Sequence, residues 1–220
     1  MTNASSGVAN AALVTALALL CLGVTACGGG DGKDTTPIPQ SLTLGADGDF
    51  TGHIVEVTPL VTYAITTNVP MQAGDDTANN LKKGFVRFDL SVLPAGASVV
   101  DATLPLTQAA PTATHYADLG GMLRVDHVEV GAALDQSDFS ATSLFLNYGT
   151  ISMDTTLEVK TLGVSTLVAR DLADGRTTTD FRFSFASPTD NNGDDDWAEF
   201  IAANFVGAPT LQLNLLVPPP

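Results

Sequence analysis

Basic residues are scarce in this chain: 9 Lys and Arg face 24 Asp and Glu among 220 residues, for a formal net charge of −15. Binding to a phosphate backbone needs clustered Lys and Arg, so nucleic acid is excluded as a partner. Glutamate is scarcer still, at 4 against 20 aspartates. Aspartate favours turns and glutamate favours helices, so the imbalance points to strands joined by acidic loops. There is 1 Trp, with 3 Tyr and 3 His, and both Cys lie within the first 27 residues. The chain beyond Cys27 therefore lacks a thiol nucleophile and a disulfide framework. It also lacks a G-x-S-x-G elbow and a phosphate-cradling glycine loop, which argues against catalysis. Long apolar runs are missing too: Ala11 to Val24 (AALVTALALLCLGV) has 14 residues, the length of a secretory leader's apolar segment and short for a bilayer span. What is abundant is turn formers, 20 Gly and 12 Pro, in a chain 45% hydrophobic. That is the composition of one all-β domain.

The leader ends in Val24-Thr25-Ala26-Cys27. Small residues before a Cys, directly after an apolar run, resemble the lipobox of bacterial lipoproteins. The resemblance implies that residues 1–26 are a signal peptide and that Cys27 is acylated as the mature N-terminus. Each buried lipid CH₂ contributes ~0.8 kcal/mol, so a multi-chain anchor holds the membrane stably. Gly28 stands where the family places Asp for inner-membrane retention, which implies an outer-membrane location in the cell envelope, facing the periplasm or outward. Residues 27–40, from Cys27 through GGGDGKDTTPIPQ, read as a flexible tether. Its 13 residues after the Cys reach at most ~45 Å.

From Ser41 onward, period-2 segments alternate with Gly, Pro, Asp and Asn clusters, the pattern of strands and turns. His53–Val57 and Leu60–Thr66 read as early strands. Val86, Phe88 and Leu90 share one face, with Phe85, Arg87 and Asp89 on the other. Val100, Ala102, Leu104 and Leu106 alternate in the same way, as do Leu123, Val125 and His127. Phe181, Phe183 and Phe185, then Leu211, Leu213 and Leu215, complete the expected core. One short helix is expected over Val164–Leu172, with Ser165 as its cap. The fold expected is an antiparallel, jelly-roll-like β-sandwich over residues 41–216, followed by a Pro-rich tail at 217–220.

Gly84 to Leu106 (GFVRFDLSVLPAGASVVDATLPL) is similar to the hallmark of DNRLRE-type domains, through Arg87-Phe88-Asp89-Leu90-Ser91, Leu93-Pro94, Gly96, Val99 and Ala102-Thr103-Leu104. These are β-sandwich modules of secreted and surface bacterial proteins, some of them grouped with carbohydrate-binding modules. The resemblance implies a binding module. By the strand period alone, Arg87 and Asp89 share a face, where each is expected to meet a cross-strand partner.

The densest polar cluster is Thr189 to Glu199 (TDNNGDDDWAE). Hard cations such as Ca²⁺ take six to eight oxygen ligands, so Asp190, Asp194, Asp196 and Glu199 are candidate ligands. The spacing is not that of an EF-hand loop, and a solvated acidic turn between strands is the competing reading. Asp75 and Asp76 form a second acidic loop. Trp197, with Asp195 beside it, offers an aromatic surface and a hydroxyl-binding group of the kind that hold a sugar. The function expected is a non-catalytic, lipid-anchored binding module for polysaccharide. The alternatives are a structural envelope-complex lipoprotein with a protein partner or, more remotely, a polysaccharide hydrolase or lyase.

Overall fold

The computed structural model describes residues 35–58, 61–111 and 115–219. Cys27, the leader and most of the tether lie outside the described residues. In chain order the strands are β1 (Ile38–Gly45), β2 (Gly52–Thr58), β3 (Thr62–Thr67), β4 (Met71–Asp75), β5 (Leu81–Asp89) and β6 (Ser98–Pro111). They continue as β7 (Leu123–Val128), β8 (Phe145–Ser152), β9 (Val159–Gly163), β10 (Thr178–Phe185), β11 (Asp196–Phe200) and β12 (Thr210–Val217). The described α-helices are α2 (Ser165–Ala173), which is the helix expected over Val164–Leu172, and a single turn, α1 (His115–Asp118), which was not expected. None is long and apolar enough to cross a membrane.

The chain folds as an all-β antiparallel sandwich. One sheet places β1 on β12, β12 on β6 and β6 on β9. The other runs β11-β4-β5-β10-β7-β8, with the β2–β3 hairpin attached through β5. The 14-residue β6 serves both sheets: its first half pairs with β12 and its last residues with β11. β1 starts at Ile38, inside the stretch read as tether, because Ile38 to Gln40 pair with Val217 to Leu215.

Alternation places the expected residues between the sheets. Val86, Phe88, Leu104, Leu106, Phe181, Phe183, Leu211 and Leu213 are all buried in one cluster, and α2 adds Leu167 and Val168. Val100 is the exception, since it is exposed. A bulge in the β12–β6 pairing, between Asn214 and Leu215, breaks the register beside it. Ser165 is not the helix cap. The cap position is Val164, and the Ser165 hydroxyl donates to Asp101 and accepts from the Ala102 N–H, tying α2 to β6.

Part of the far side of the second sheet is also covered. The β7–β8 connection carries a 3-10 turn at Gln136–Ser140, closed by a reciprocal Asp135–Asp138 capping box. It roofs a smaller apolar cluster of Ile54, Phe85, Val128, Val130, Leu134 and Phe139. Among these side chains lies a layer of buried charge. Arg87 meets Asp180 directly across the β5–β10 pair, with Nε to Oδ1 at 2.6 Å and Nη2 to Oδ2 at 2.9 Å. Arg182 donates to Asp126 at 2.8 Å, to the carbonyls of Asp138, Phe139 and Ala141, and to the Ser143 hydroxyl. Lys83 adds a bond to the Phe139 carbonyl at 2.8 Å. Irregular backbone under a roof needs its carbonyls satisfied, and these cations supply the donors. Asp89 differs from expectation: it is exposed and accepts from the Ser91 N–H in its own turn, with no cross-strand ion pair among the described residues.

Candidate functional site: an acidic end and an aromatic face

The site is built on the β4–β11 pair. Asp196 stands opposite Asp75, Trp197 opposite Gly74 and Glu199 opposite Gln72. Met71 and Ala73 on β4, with Ala198 and Phe200 on β11, belong to the core. The strand period therefore sends Asp75 and Asp196 toward the interior at its end, and Trp197, Glu199 and Gln72 toward the outer face. Gly74 permits this close approach: it has φ 136°, and a Cβ on it would lie 1.9 Å from the Asp196 carbonyl oxygen.

At the inner end, carboxylate oxygens of Asp118, Asp190 and Asp196 all lie within 4.8 Å of one another. Asp118 comes from α1 and Asp190 from the β10–β11 loop. The Asn192 side-chain amide donates to Asp190 at 2.8 Å and to Asp196 at 3.1 Å. Asp75 is fully buried. Thr189 lies beside it, but neither carboxylate oxygen has a partner in hydrogen-bonding geometry among the described residues. Burial raises the Asp75 pKa above the usual carboxylate value, and Asp196, Asp190 and Asp76 push the same way against the influence of Thr189.

The neighbouring loops are tied together. Asp195 accepts from the Thr77 N–H at 3.0 Å, and Asn79 accepts from the Gly193 N–H at 3.2 Å. Asp76 accepts from Ala78 and Asn80. Burial pulls Asp76 upward, but these bonds and Lys82 hold its carboxyl below the usual range.

Of the four acids considered for a cation, the structure thus brings Asp190 and Asp196 together. Asp194 is exposed and is not one of the acids grouped within 4.8 Å, and Glu199 points to the opposite face, where it accepts from Gln72 at 2.7 Å. Asp118 was missed: it is distant in sequence, on a four-residue helix with no pattern of its own.

On the outer face, the Lys82 ammonium sits 3.5 Å from the centroid of the Trp197 ring and donates to Gln72 at 3.2 Å. With the Gln72–Glu199 bond, four side chains form one connected strip. Burial lowers the Lys82 pKa, against the pull of Asp76, Asp195, Glu199 and Asp75. Asp195, expected to work beside Trp197, instead pins the Thr77 turn. Lys82 and Gln72 take the places flanking the indole.

A third polar group is internal. His127 Nε2 lies 2.9 Å from Asp171, and Arg176 reaches the other oxygen of that carboxylate at 3.0 Å. With His127 and Asp171 at 1% and 0% exposure, the pair is enclosed in the fold and ties α2 to β7. No known protein-family model matches the chain, and no curated protein is similar to it.

Proposed function

We propose that the protein is a non-catalytic, lipid-tethered binding module of the bacterial cell envelope whose outer face binds glycan. The observation that supports this best is the Trp197–Lys82–Gln72–Glu199 strip. Sugars are recognised by aromatic surface combined with polar groups that fix hydroxyls. Side chains that already hold one another lose little further rotamer freedom on binding. The net charge of −15 favours a neutral glycan over an acidic one. The similarity of Gly84–Leu106 to DNRLRE-type modules supports the same reading.

Affinity electrophoresis of the full-length protein through gels containing neutral polysaccharides tests it. Retardation is expected in at least one gel, and Trp197→Ala is expected to lose about tenfold or more in affinity, as a central aromatic contact does. Unretarded migration in every gel, or a Trp197→Ala protein that binds as wild type, removes the glycan reading.

The tether rests on Val24-Thr25-Ala26-Cys27. In the native host, the wild-type protein is expected to take up labelled fatty acid and partition into detergent, and Cys27→Ala is expected to abolish both. Equal labelling of the two proteins would falsify acylation at Cys27.

A second reading, an envelope-complex component with a protein partner, is favoured by apolar side chains exposed on β8, on β9 and between them: Phe145, Leu146, Met153, Leu157 and Val159. Crosslinking that recovers one stoichiometric protein, with no glycan binding, would select it.

A further inference from the structure

We infer that Asp118, Asp190 and Asp196, backed by Asp75, form a Ca²⁺ site at the end of the sandwich interior. Two observations carry it. The first is geometric. Ligands on opposite sides of one Ca²⁺, each at about 2.4 Å, are separated by about 4.8 Å. The carboxylate oxygens of Asp118, Asp190 and Asp196 satisfy that limit pairwise, the spacing that three ligands of one ion require. They converge from three separate parts of the chain: α1, the β10–β11 loop and the start of β11.

The second observation is independent of that cluster. Asp75 is fully buried, and both of its oxygens lack a hydrogen-bond partner among the described residues. Buried polar groups in folded proteins are almost always satisfied, and a buried acid whose two oxygens both lack a partner in hydrogen-bonding geometry is a costly exception. Its cross-strand register with Asp196 puts it on the same face of the sheet, beside the cluster. Asp196 and Asp190 are the acids whose charges act on it most strongly.

A divalent cation among these groups would neutralise the mutual repulsion and stabilise the buried Asp75 carboxylate, whose oxygens have no hydrogen-bond partner among the described residues. The donors are all oxygens, which suits a hard cation and not a thiophilic one. Mg²⁺ demands a tighter octahedron at about 2.0–2.1 Å, whereas Ca²⁺ accepts the looser spacing and irregular number of oxygens that three converging segments provide. The site is separate from the glycan strip, because Trp197 leaves the opposite face of β11 from Asp196.

Calorimetric titration of the chelator-treated, full-length protein in detergent micelles, with CaCl₂ as the ligand, tests the inference. One ion per chain is expected, with a Kd on the order of 10⁻⁴ M. The melting temperature should rise by about 5 °C or more at a hundredfold excess over Kd. Asp118 and Asp190 are exposed, so Asp118→Asn and Asp190→Asn should leave the fold intact. Each is expected to weaken Ca²⁺ binding by about tenfold or more, since a charged ligand becomes neutral. Asp194→Asn, Glu199→Gln and Trp197→Ala should bind as wild type. The absence of heat and of thermal shift up to about 10 mM Ca²⁺ overturns the site, as does wild-type binding by Asp118→Asn. Mg²⁺ binding as tight as Ca²⁺ binding overturns the choice of ion.

Discussion

Asp180→Ala is expected to destabilise the protein by about 3–5 kcal/mol, lowering its urea midpoint by about 1–3 M. The reason is what remains behind. Arg87 is only 8% exposed, and among the described residues Asp180 is its one carboxylate partner. Alanine would leave that guanidinium charged under the β7–β8 roof. The Val130 N–H, which donates to Asp180 at 2.9 Å, would lose its acceptor as well. Two groups are thus stranded by one truncation, and stranding costs more than the net worth of the contact. The exposed Arg170–Asp174 pair, at 3.6 Å with side chains 56% and 44% accessible, provides the contrast. Arg170→Ala should cost less than about 0.5 kcal/mol.

A double variant separates the two explanations for a large loss. If the damage comes from an uncompensated charge, Arg87→Met combined with Asp180→Leu should recover a good part of the Asp180→Ala deficit. Recovery should be incomplete, because Arg87 also donates to the carbonyls of Val130 and Gly131. Strictly additive losses from the two sites would show that buried charge is not what sets the cost.

These charges also mark where the sequence stops being readable. Alternation along GFVRFDL and FRFSF correctly sorts Val86, Phe88, Phe181 and Phe183 from Arg87 and Arg182. It says which residues share a face and nothing about what covers that face. Here the cover is an irregular connection whose apolar anchors, Leu134 and Phe139, carry no strand or helix period. Two of the three five-residue strands, β4 and β11, are not legible from alternation for a related reason. MQAGD and DWAEF are too short and too polar to show a pattern, and they hold as strands because β4 and β11 pair with each other and with β5 and β6 on their outer edges. At the acidic end, the density of aspartates pointed to Asp190 and Asp196. Asp118 joins them only through tertiary approach, and Glu199 is turned away by its position in the strand.

Gly74→Ala is the substitution expected to damage fold and site together. At φ 136° the backbone occupies a region that residues with a Cβ pay about 1–3 kcal/mol to enter. The added methyl would also lie 1.9 Å from the Asp196 carbonyl oxygen and 2.7 Å from the Trp197 Cα, so backbone and not a side-chain tip must move. Forcing volume into a packed region costs about 1–3 kcal/mol more. A total of roughly 2–6 kcal/mol corresponds to a melting temperature lower by about 5–20 °C. Gly175→Ala is the matched control: its φ is 74°, and a Cβ there would meet nothing within 4 Å. It should therefore show the conformational cost without the collision. Because the displaced strand is the one carrying Asp196 past Asp75, Gly74→Ala protein that remains folded at low temperature should bind Ca²⁺ more weakly, while Gly175→Ala binds normally. Equal melting temperatures for the two variants would mean that β4 and β11 do not approach as closely at this position as the pairing of Gly74 with Trp197 requires.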